Sequence, residues 1–146
     1  MNPMNRSNVL WDDVSVDDEL PPLAFELTPT TLALAVTATR DLYPIHHDRE
    51  FARRQGAPDP FVMTSWYLGF VGRYMSEWAG YESFLRRLEV KMNAHGVAGM
   101  TMTAYGVVTG KSVDEKGRKL VDVEVRIDNG SRPDATTATL SLELPD

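Results

Sequence analysis

The carboxyl-terminal part of the chain constrains the fold most, because its apolar residues recur at every second position over two long segments. Residues 120–127 and 135–144 alternate in this way, and the triplet 128–130, Asp-Asn-Gly, is a typical hairpin sequence. Successive side chains of a strand point to opposite faces, so each segment predicts a strand with one apolar face. The apolar positions are Val121, Val123, Val125 and Ile127, then Ala138, Leu140, Leu142 and Leu144.

Three earlier segments also predict strands, so the sheet is expected to be larger than one hairpin. Residues 100–110 are rich in Thr and Val, which favour strands, and a turn is expected at 114–117. Residues 85–90 carry apolar side chains in a candidate strand, and residues 23–27 alternate weakly. The pattern therefore indicates an antiparallel sheet whose apolar face needs a cover.

A single long helix, predicted over residues 61–79, is the candidate cover. Gly80 is expected to end it. Its large apolar residues recur at helical spacing: Met63, Trp66, Tyr67, Phe70, Val71, Tyr74, Met75 and Trp78. A second stripe is small: Ser65, Gly69, Gly72 and Ser76. Each glycine inside a helix costs about 1 kcal/mol relative to alanine, so we expect a backbone or a sheet to approach closely there.

The predicted fold is α+β, an antiparallel sheet curled around this central helix. Thr28-Pro29 resembles a helix cap followed by proline at the first position, which favours a helix over 30–39. The alternation of Leu32, Leu34 and Val36 is also typical of a strand, so a strand remains an alternative over these residues. A short helix is expected near 48–55. We expect one domain over 1–146, with residues 1–10 as a loose lead-in.

Composition narrows the classes of function. The chain has 146 residues, no cysteine and a net charge of −6, without a dense basic tract. Disulfides and thiol chemistry are excluded, and nucleic-acid binding is disfavoured. No apolar run is long enough to cross a bilayer, and the polar amino terminus lacks the apolar core of a signal peptide. We therefore expect a cytoplasmic protein that binds neither nucleic acid nor membrane.

The loop from Thr39 to Asp48 holds the candidate chemistry. It places Asp41 and His46 on either side of Pro44, which fixes its own φ and disfavours helical geometry in the preceding residue. A carboxylate and an imidazole on a loop of fixed shape can share a water or a substrate proton. Asp41 and His46 are therefore the candidate acid–base pair.

Other interpretations of this loop remain open on the residues alone. Asp41 could make a turn, His46 could be a structural histidine, and Asp48 could cap the next helix. A metal site built from Asp41, His46, His47 and Asp48 is a third interpretation. Adjacent histidines seldom point the same way, however, and no other ligand spacing is evident. The structural interpretation is slightly favoured over catalysis, and a metal is favoured least.

The stretch from Ala38 to His46 is similar to the signature of MaoC-like, R-specific enoyl-CoA hydratases and dehydratases, which have the hotdog fold. In that signature an Asp is followed five residues later by a His, with a proline between them and an apolar residue before the His. The resemblance continues through Ala52, the run 56–58 and the run 68–71, and covers the chain from about residue 11 to its end.

Within this family the chain resembles the small subunits of steroid side-chain enoyl-CoA hydratases. The shared runs are Thr39-Arg40-Asp41, His46-His47-Asp48-Arg49, Phe61-Val62, Arg73-Tyr74 and Trp78-Ala79-Gly80. Two positions depart from the wider family. Tyr43 replaces the signature asparagine, and Met63-Thr64 replaces a His-Gly pair whose glycine supplies an N–H to the thioester oxygen.

The resemblance implies a hydro-lyase that adds water reversibly to a trans-2-enoyl-CoA and forms an R-3-hydroxyacyl-CoA, in steroid side-chain or fatty-acid degradation. Asp41 and His46 would hold the water, and Thr64, next to Met63, would bind the thioester oxygen. Substrate contacts are expected from Tyr43, Trp66, Tyr67 and Phe70. No metal or redox cofactor is expected, since the CoA thioester is the substrate. A homodimer or a heteromer with a second hotdog chain is expected as well.

Two other functions fit the same resemblance. A hotdog thioesterase would direct water at the carbonyl carbon of an acyl-CoA, although a paired Asp and His fits hydration better. A non-catalytic hotdog subunit would support an active partner chain, and the departures at Tyr43 and Met63-Thr64 motivate this alternative.

Overall fold

The computed structural model describes residues 8–146. Short 3-10 turns lie at Trp11–Asp13 and Pro44–His46. The helices are α1 (Pro29–Thr39), α2 (Arg49–Arg54) and α3 (Thr64–Ala79). The strands are β1 (Glu19–Glu26), β2 (Phe84–Met92), β3 (Thr101–Val113), β4 (Lys119–Asp128) and β5 (Thr136–Glu143).

All five strands form one antiparallel sheet in the order β1-β3-β4-β5-β2. The predicted alternation is confirmed in β4 and β5, where Val123 pairs with Leu140 and Val125 pairs with Ala138, all of them buried. The link between these strands runs from residue 129 to residue 135 and is therefore longer than a tight hairpin turn. Within it, the Asn129 side chain accepts the N–H groups of Ser131 and Arg132. The apolar face of the sheet thus lies on one side, as its period requires.

Helix α3 covers this face, which confirms the α+β arrangement of a sheet around one central helix. Tyr67, Val71, Tyr74 and Met75 are almost fully buried against the strands. The helix begins at Thr64 rather than at residue 61, because Phe61 forms an isolated antiparallel bridge with Val97 before the helix starts. Gly80 ends the helix with φ +84°.

The small stripe of α3 faces outward, and no backbone or sheet of the described residues approaches it; an approach from a second chain stays a prediction. A Cβ atom added at Gly69 or Gly72 would meet no described atom within 4 Å. The large apolar residues of α3 pack against the sheet, and the small residues therefore lie on the opposite side of the helix. Leu68, beside the glycines, is 41 % exposed. This outer face has room for another chain.

Residues 8–10, expected as part of a loose lead-in, are instead attached to the domain, while residues 1–7 lie outside the described part. The N–H of Val9 donates to Ala79 O at 3.0 Å. Just after them, Trp11 Nε1 donates to Leu120 O at 3.2 Å, and Lys111 Nζ, 3.9 Å from the Trp11 ring centroid, donates to Trp11 O and Val14 O. Such contacts order a segment because its backbone carbonyls gain a charged donor.

The two short helices begin where their caps predict. Thr28 and Thr31 form a reciprocal capping box around Pro29, which confirms a helix over the ambiguous residues 30–39. The Asp48 carboxylate accepts the N–H of Phe51 at 2.9 Å and caps α2. Within residues 8–146, no helix combines the length and the apolar character needed to span a bilayer.

Candidate active site

The loop between α1 and α2 has its shape set by local bonds. Arg40 ends α1 in the left-handed region, with φ +55°. The N–H of Asp41 then donates to Thr39 Oγ1 at 3.3 Å, and Asp41 Oδ1 accepts the N–H of Tyr43 at 3.4 Å. Pro44 opens the following 3-10 turn. One carboxylate oxygen of Asp41 therefore maintains the turn, which leaves the other free to face His46.

The Asp41 and His46 side chains converge. Asp41 Oδ2 lies 3.5 Å from His46 Nε2, while His46 Nδ1 lies 2.7 Å from the carbonyl oxygen of Phe61. A carbonyl oxygen only accepts hydrogen bonds, so Nδ1 carries the ring hydrogen. The neutral ring then has its lone pair on Nε2, directed toward the carboxylate. The contact with Phe61 thus determines which nitrogen can accept a proton.

Asp41 is open to solvent, and of the two residues only His46 lines a cavity. The Asp41 side chain is 41 % exposed, whereas that of His46 is 9 % exposed. His46 lines a cavity of about 250 Å³, here called the histidine cavity. The other residues around it are Pro29, Leu32, Ala33, His47, Arg49, Asp59, Pro60 and Ala98. A small molecule can therefore reach the imidazole from this side.

The two residues after His46 have structural roles. His47 Nε2 contacts Leu42 O at 3.1 Å and closes the loop, and Asp48 caps α2. In the described part of the chain, no three His, Asp or Glu side chains come together as metal ligands. The geometry thus favours a pair of Asp41 and His46 over a four-residue metal site.

The amino-terminal end of α3, where the sequence predicts the thioester contact, has no side-chain cap and does not line the histidine cavity. Met63, the N-cap residue, makes no side-chain hydrogen bond to the helix. The first N–H groups of a helix have no intrahelical partner and form its positive end. Thr64 is exposed, and its Oγ1 lies 3.9 Å from Met92 Sδ. Met63 is buried against Ala35 and Val36, so the structure presents Thr64 to solvent and not Met63.

The residues expected to contact substrate are divided between the loop and the core. Tyr43 is 52 % exposed and its ring lies edge-on to His46, with the centroids 6.5 Å apart. Trp66 is half-buried and stacks on Phe70. Tyr67 and Phe70 lie in the core and are not among the residues lining the histidine cavity. Burial raises the pKa of Tyr67. Their contact with a substrate stays a prediction.

Sequence reasoning missed three residues that border the site. Phe61 provides the carbonyl for His46, His95 stacks on the Phe61 ring, and Asn129 donates to the backbone of His95. The only signal for His95 in the sequence is that it is the third histidine of the chain, and the run 128–130 predicts no more for Asn129 than a place in a hairpin turn. These long-range contacts have no periodicity that a sequence pattern could reveal.

The comparison with known proteins decides the family. No family model matches the chain. A curated relative, the 3-oxo-4,17-pregnadiene-20-carboxyl-CoA hydratase beta subunit of Mycobacterium tuberculosis, is 33% identical over 127 residues, which cover 87% of this chain and 94% of the relative. The chain belongs to the MaoC-like enoyl-CoA hydratase and dehydratase family.

Solved structures agree with this membership. The ChsH1-ChsH2 complex from Mycobacterium tuberculosis contains a chain that is 33% identical, with a TM-score of 0.80, covering 89% of this chain and 98% of that one. A protein described as a MaoC-like dehydratase is 26% identical, with a TM-score of 0.81, covering 96% of this chain and 43% of the other. The hotdog fold expected for the MaoC-like chain is thus confirmed.

Proposed function

We propose that this MaoC-like chain is a hydro-lyase that adds water to a trans-2-enoyl-CoA and forms an R-3-hydroxyacyl-CoA. The observation that carries the proposal is the pair formed by Asp41 and His46, with the His46 lone pair directed at the carboxylate by the Phe61 carbonyl. Family membership supports the same reaction class. We further propose a single MaoC-like hotdog domain over residues 1–146, the division of the chain that the sequence predicts.

The pair suits a bound water because both facing atoms are acceptors. A water has two O–H groups, so it can donate one to Asp41 Oδ2 and the other to the neutral Nε2 of His46. Its oxygen lone pair then remains free to attack. Two acceptors 3.5 Å apart without a hydrogen between them would otherwise repel each other weakly. The arrangement therefore favours a bridging donor.

The reaction follows from this geometry. The water oxygen bonds to C3 as His46 Nε2 removes one of its protons, and the π electrons of the enoyl group move toward the thioester oxygen. A proton then returns to C2, which restores the thioester and the neutral imidazole. Asp41 stabilises the imidazolium formed in between. Addition of water changes no net oxidation state, so this scheme needs no redox cofactor, and each of its steps is assigned to a residue of the chain.

The charge that develops on the thioester oxygen needs a donor. We propose the N–H of Thr64 at the open end of α3, where the helix dipole adds a positive field. Removing one such donor from an enzyme site typically costs about 10²–10³ in kcat. A backbone N–H cannot be deleted by a side-chain substitution, but Thr64→Pro would remove it while retaining a residue that is tolerated at the first helical position.

The acyl group proposed is a steroid side chain, with a fatty acyl chain as the alternative, because the curated relative is described as acting on a pregnadiene carboxyl-CoA. A cytoplasmic location stays a prediction. The test is hydration of enoyl-CoA substrates of both classes, followed by loss of the enone absorbance. Thiol release from the same substrates is measured in parallel. If thiol appears while the enone is untouched, the chain is a thioesterase and the proposal fails.

We also propose that the chain pairs with a second hotdog chain. The open stripe at Gly69 and Gly72 supports this, since two helix-weakening glycines gain nothing from contacts within the chain. The similar Mycobacterium tuberculosis structure is itself a complex of two proteins. Measuring the mass of the purified chain alone, and then with a co-expressed MaoC-like partner, distinguishes a homodimer from a heteromer.

A further inference from the structure

We propose that Asn129 and His95 are positioning residues for His46, and that they act through Phe61. Neither residue is in the loop that carries the acid–base pair. The inference rests on the proposed function, in which His46 accepts a proton at Nε2. Its basis is a continuous set of contacts from the sheet to the imidazole.

The Phe61 carbonyl is held in place by the segment 93–97. Phe61 forms an antiparallel bridge with Val97, and the N–H of Val62 donates to Gly96 O at 3.0 Å. These contacts fix the backbone of residues 61 and 62, which flank the Phe61 carbonyl that faces His46 Nδ1. The direction of that carbonyl is thus set by the segment 93–97 rather than by the Asp41 loop.

Contacts between aromatic rings also connect the segment 93–97 to His46. His95 packs on Phe61 with the centroids 4.2 Å apart and an interplanar angle of 33°, and His46 meets the same Phe61 ring edge-on at 5.3 Å. Phe61 is only 8 % exposed. Replacing the His95 ring would therefore change the packing of the Phe61 ring, because Phe61 is closely surrounded and has little space in which to turn.

Asn129 attaches the segment 93–97 to the sheet. Its side chain is buried and donates from Nδ2 to His95 O at 3.1 Å. Its Oδ1 accepts the N–H groups of Ser131 at 3.0 Å and Arg132 at 2.8 Å. One buried amide therefore joins the β4–β5 connection to the backbone of His95. A buried amide left without its partner is costly, which makes this link a rigid one.

The segment also fits tightly against α3. A Cβ atom at Gly96 would lie 2.6 Å from Tyr67 Oη, so any larger residue there would force a displacement. The segment is consequently fixed by the central helix on one side and by the β4–β5 connection on the other, to which Asn129 and Asn93 both bond. Small misplacements of a reacting group can cost about 10²-fold in rate. Loosening this support should therefore affect the chemical step more than substrate binding.

Four substitutions test the proposal. Asn129→Asp keeps the acceptor for the turn but removes the donor to His95 O. His95→Ala removes the ring, whereas His95→Phe retains an aromatic ring without nitrogen atoms. The matched control is Asp128→Asn, because Asp128 Oδ1 accepts the N–H of Gly130 at 2.6 Å beside the same β4–β5 connection and makes no bond to the segment 93–97.

The readouts are kcat and KM for enoyl-CoA hydration and the ¹⁵N NMR shifts of the His46 ring, all recorded where each variant remains folded. We expect Asn129→Asp and His95→Ala to lower kcat by roughly 10-fold or more with KM little changed. Their His46 spectra should shift away from the Nδ1–H form. His95→Phe and Asp128→Asn should resemble the wild type in both measurements.

Two results would overturn the inference. One is an unchanged His46 spectrum in both Asn129→Asp and His95→Ala. The other is a loss in His95→Phe equal to that in His95→Ala, which would mean that the His95 nitrogens act directly. If the wild type shows no hydration while the spectra change as expected, the proposed function fails and the positioning remains.

Discussion

Replacing Asp41 by Asn isolates the charge that the proposed mechanism uses. Asp41 Oδ1 accepts the N–H of Tyr43, and an asparagine keeps an oxygen at that position, so the turn is retained. Oδ2, 3.5 Å from His46 Nε2, becomes an amide nitrogen. An amide nitrogen donates hydrogen bonds and does not accept them, so the variant has no acceptor for the water at this position. The amide would instead donate to the His46 lone pair, in competition with the water.

The expected loss follows from these two effects. Acid–base groups in enzyme sites contribute about 10²–10⁴-fold. At about 1.36 kcal/mol per tenfold change, this range raises the activation barrier by about 3–5 kcal/mol. We expect Asp41→Asn to lower kcat by at least about 10²-fold. KM should change little, since the proposed thioester contact at Thr64 is untouched.

The assay is loss of enone absorbance with an enoyl-CoA, and the matched control is Asp48→Asn. Asp48 is a second carboxylate of the same loop that caps α2, and asparagine caps a helix about as well. The control should stay within about threefold of the wild type. If Asp41→Asn keeps most of its activity while His46→Ala is inactive, Asp41 does not hold the water. Equal losses in both Asn variants would indicate a change in loop shape instead.

Three further predictions concern stability and assembly. Lys111→Met should lower the free energy of unfolding by about 2 kcal/mol, measured by denaturant titration, because the carbonyl of Trp11 loses a charged donor. Burial raises the pKa of Tyr74 to about 12. The unfolded chain loses the Tyr74 proton once the pH exceeds the ordinary tyrosine pKa near 10, whereas the folded chain still holds it there. The contribution of Tyr74 to stability should be complete below pH 10 and decline as the pH rises toward 12. Tyr74→Phe should therefore reduce the decline in alkaline unfolding curves, while the part due to Tyr67, whose pKa burial also raises, should remain. Gly69→Leu has open space around it, so the variant should fold with equal or higher stability yet fail to pair in sedimentation experiments. Unchanged pairing would place the interface elsewhere.

Much of the fold was predictable because it depends on local periods. The alternation at Val121, Val123 and Val125 placed one face of β4 in the core, and the spacing of Tyr67, Val71 and Tyr74 placed one side of α3 against it. Such patterns report burial directly, since hydrophobic side chains leave water wherever the backbone turns them inward. The stripe at Gly69 and Gly72 marks the limit of such patterns, because a period identifies a face of the helix but not which chain lies opposite it.

The candidate site divides in the same way. Asp41, Pro44 and His46 lie within six positions, and a short loop with a fixed proline keeps its own side chains close, so the sequence alone was enough to identify the candidate pair. The tertiary structure alone decided which His46 nitrogen carries the hydrogen. That choice depends on the Phe61 carbonyl, fifteen residues away, and no sequence period links the two positions. A hydrogen bond requires atoms within about 3 Å of each other, and only the packing of the whole chain produces such a distance between remote residues.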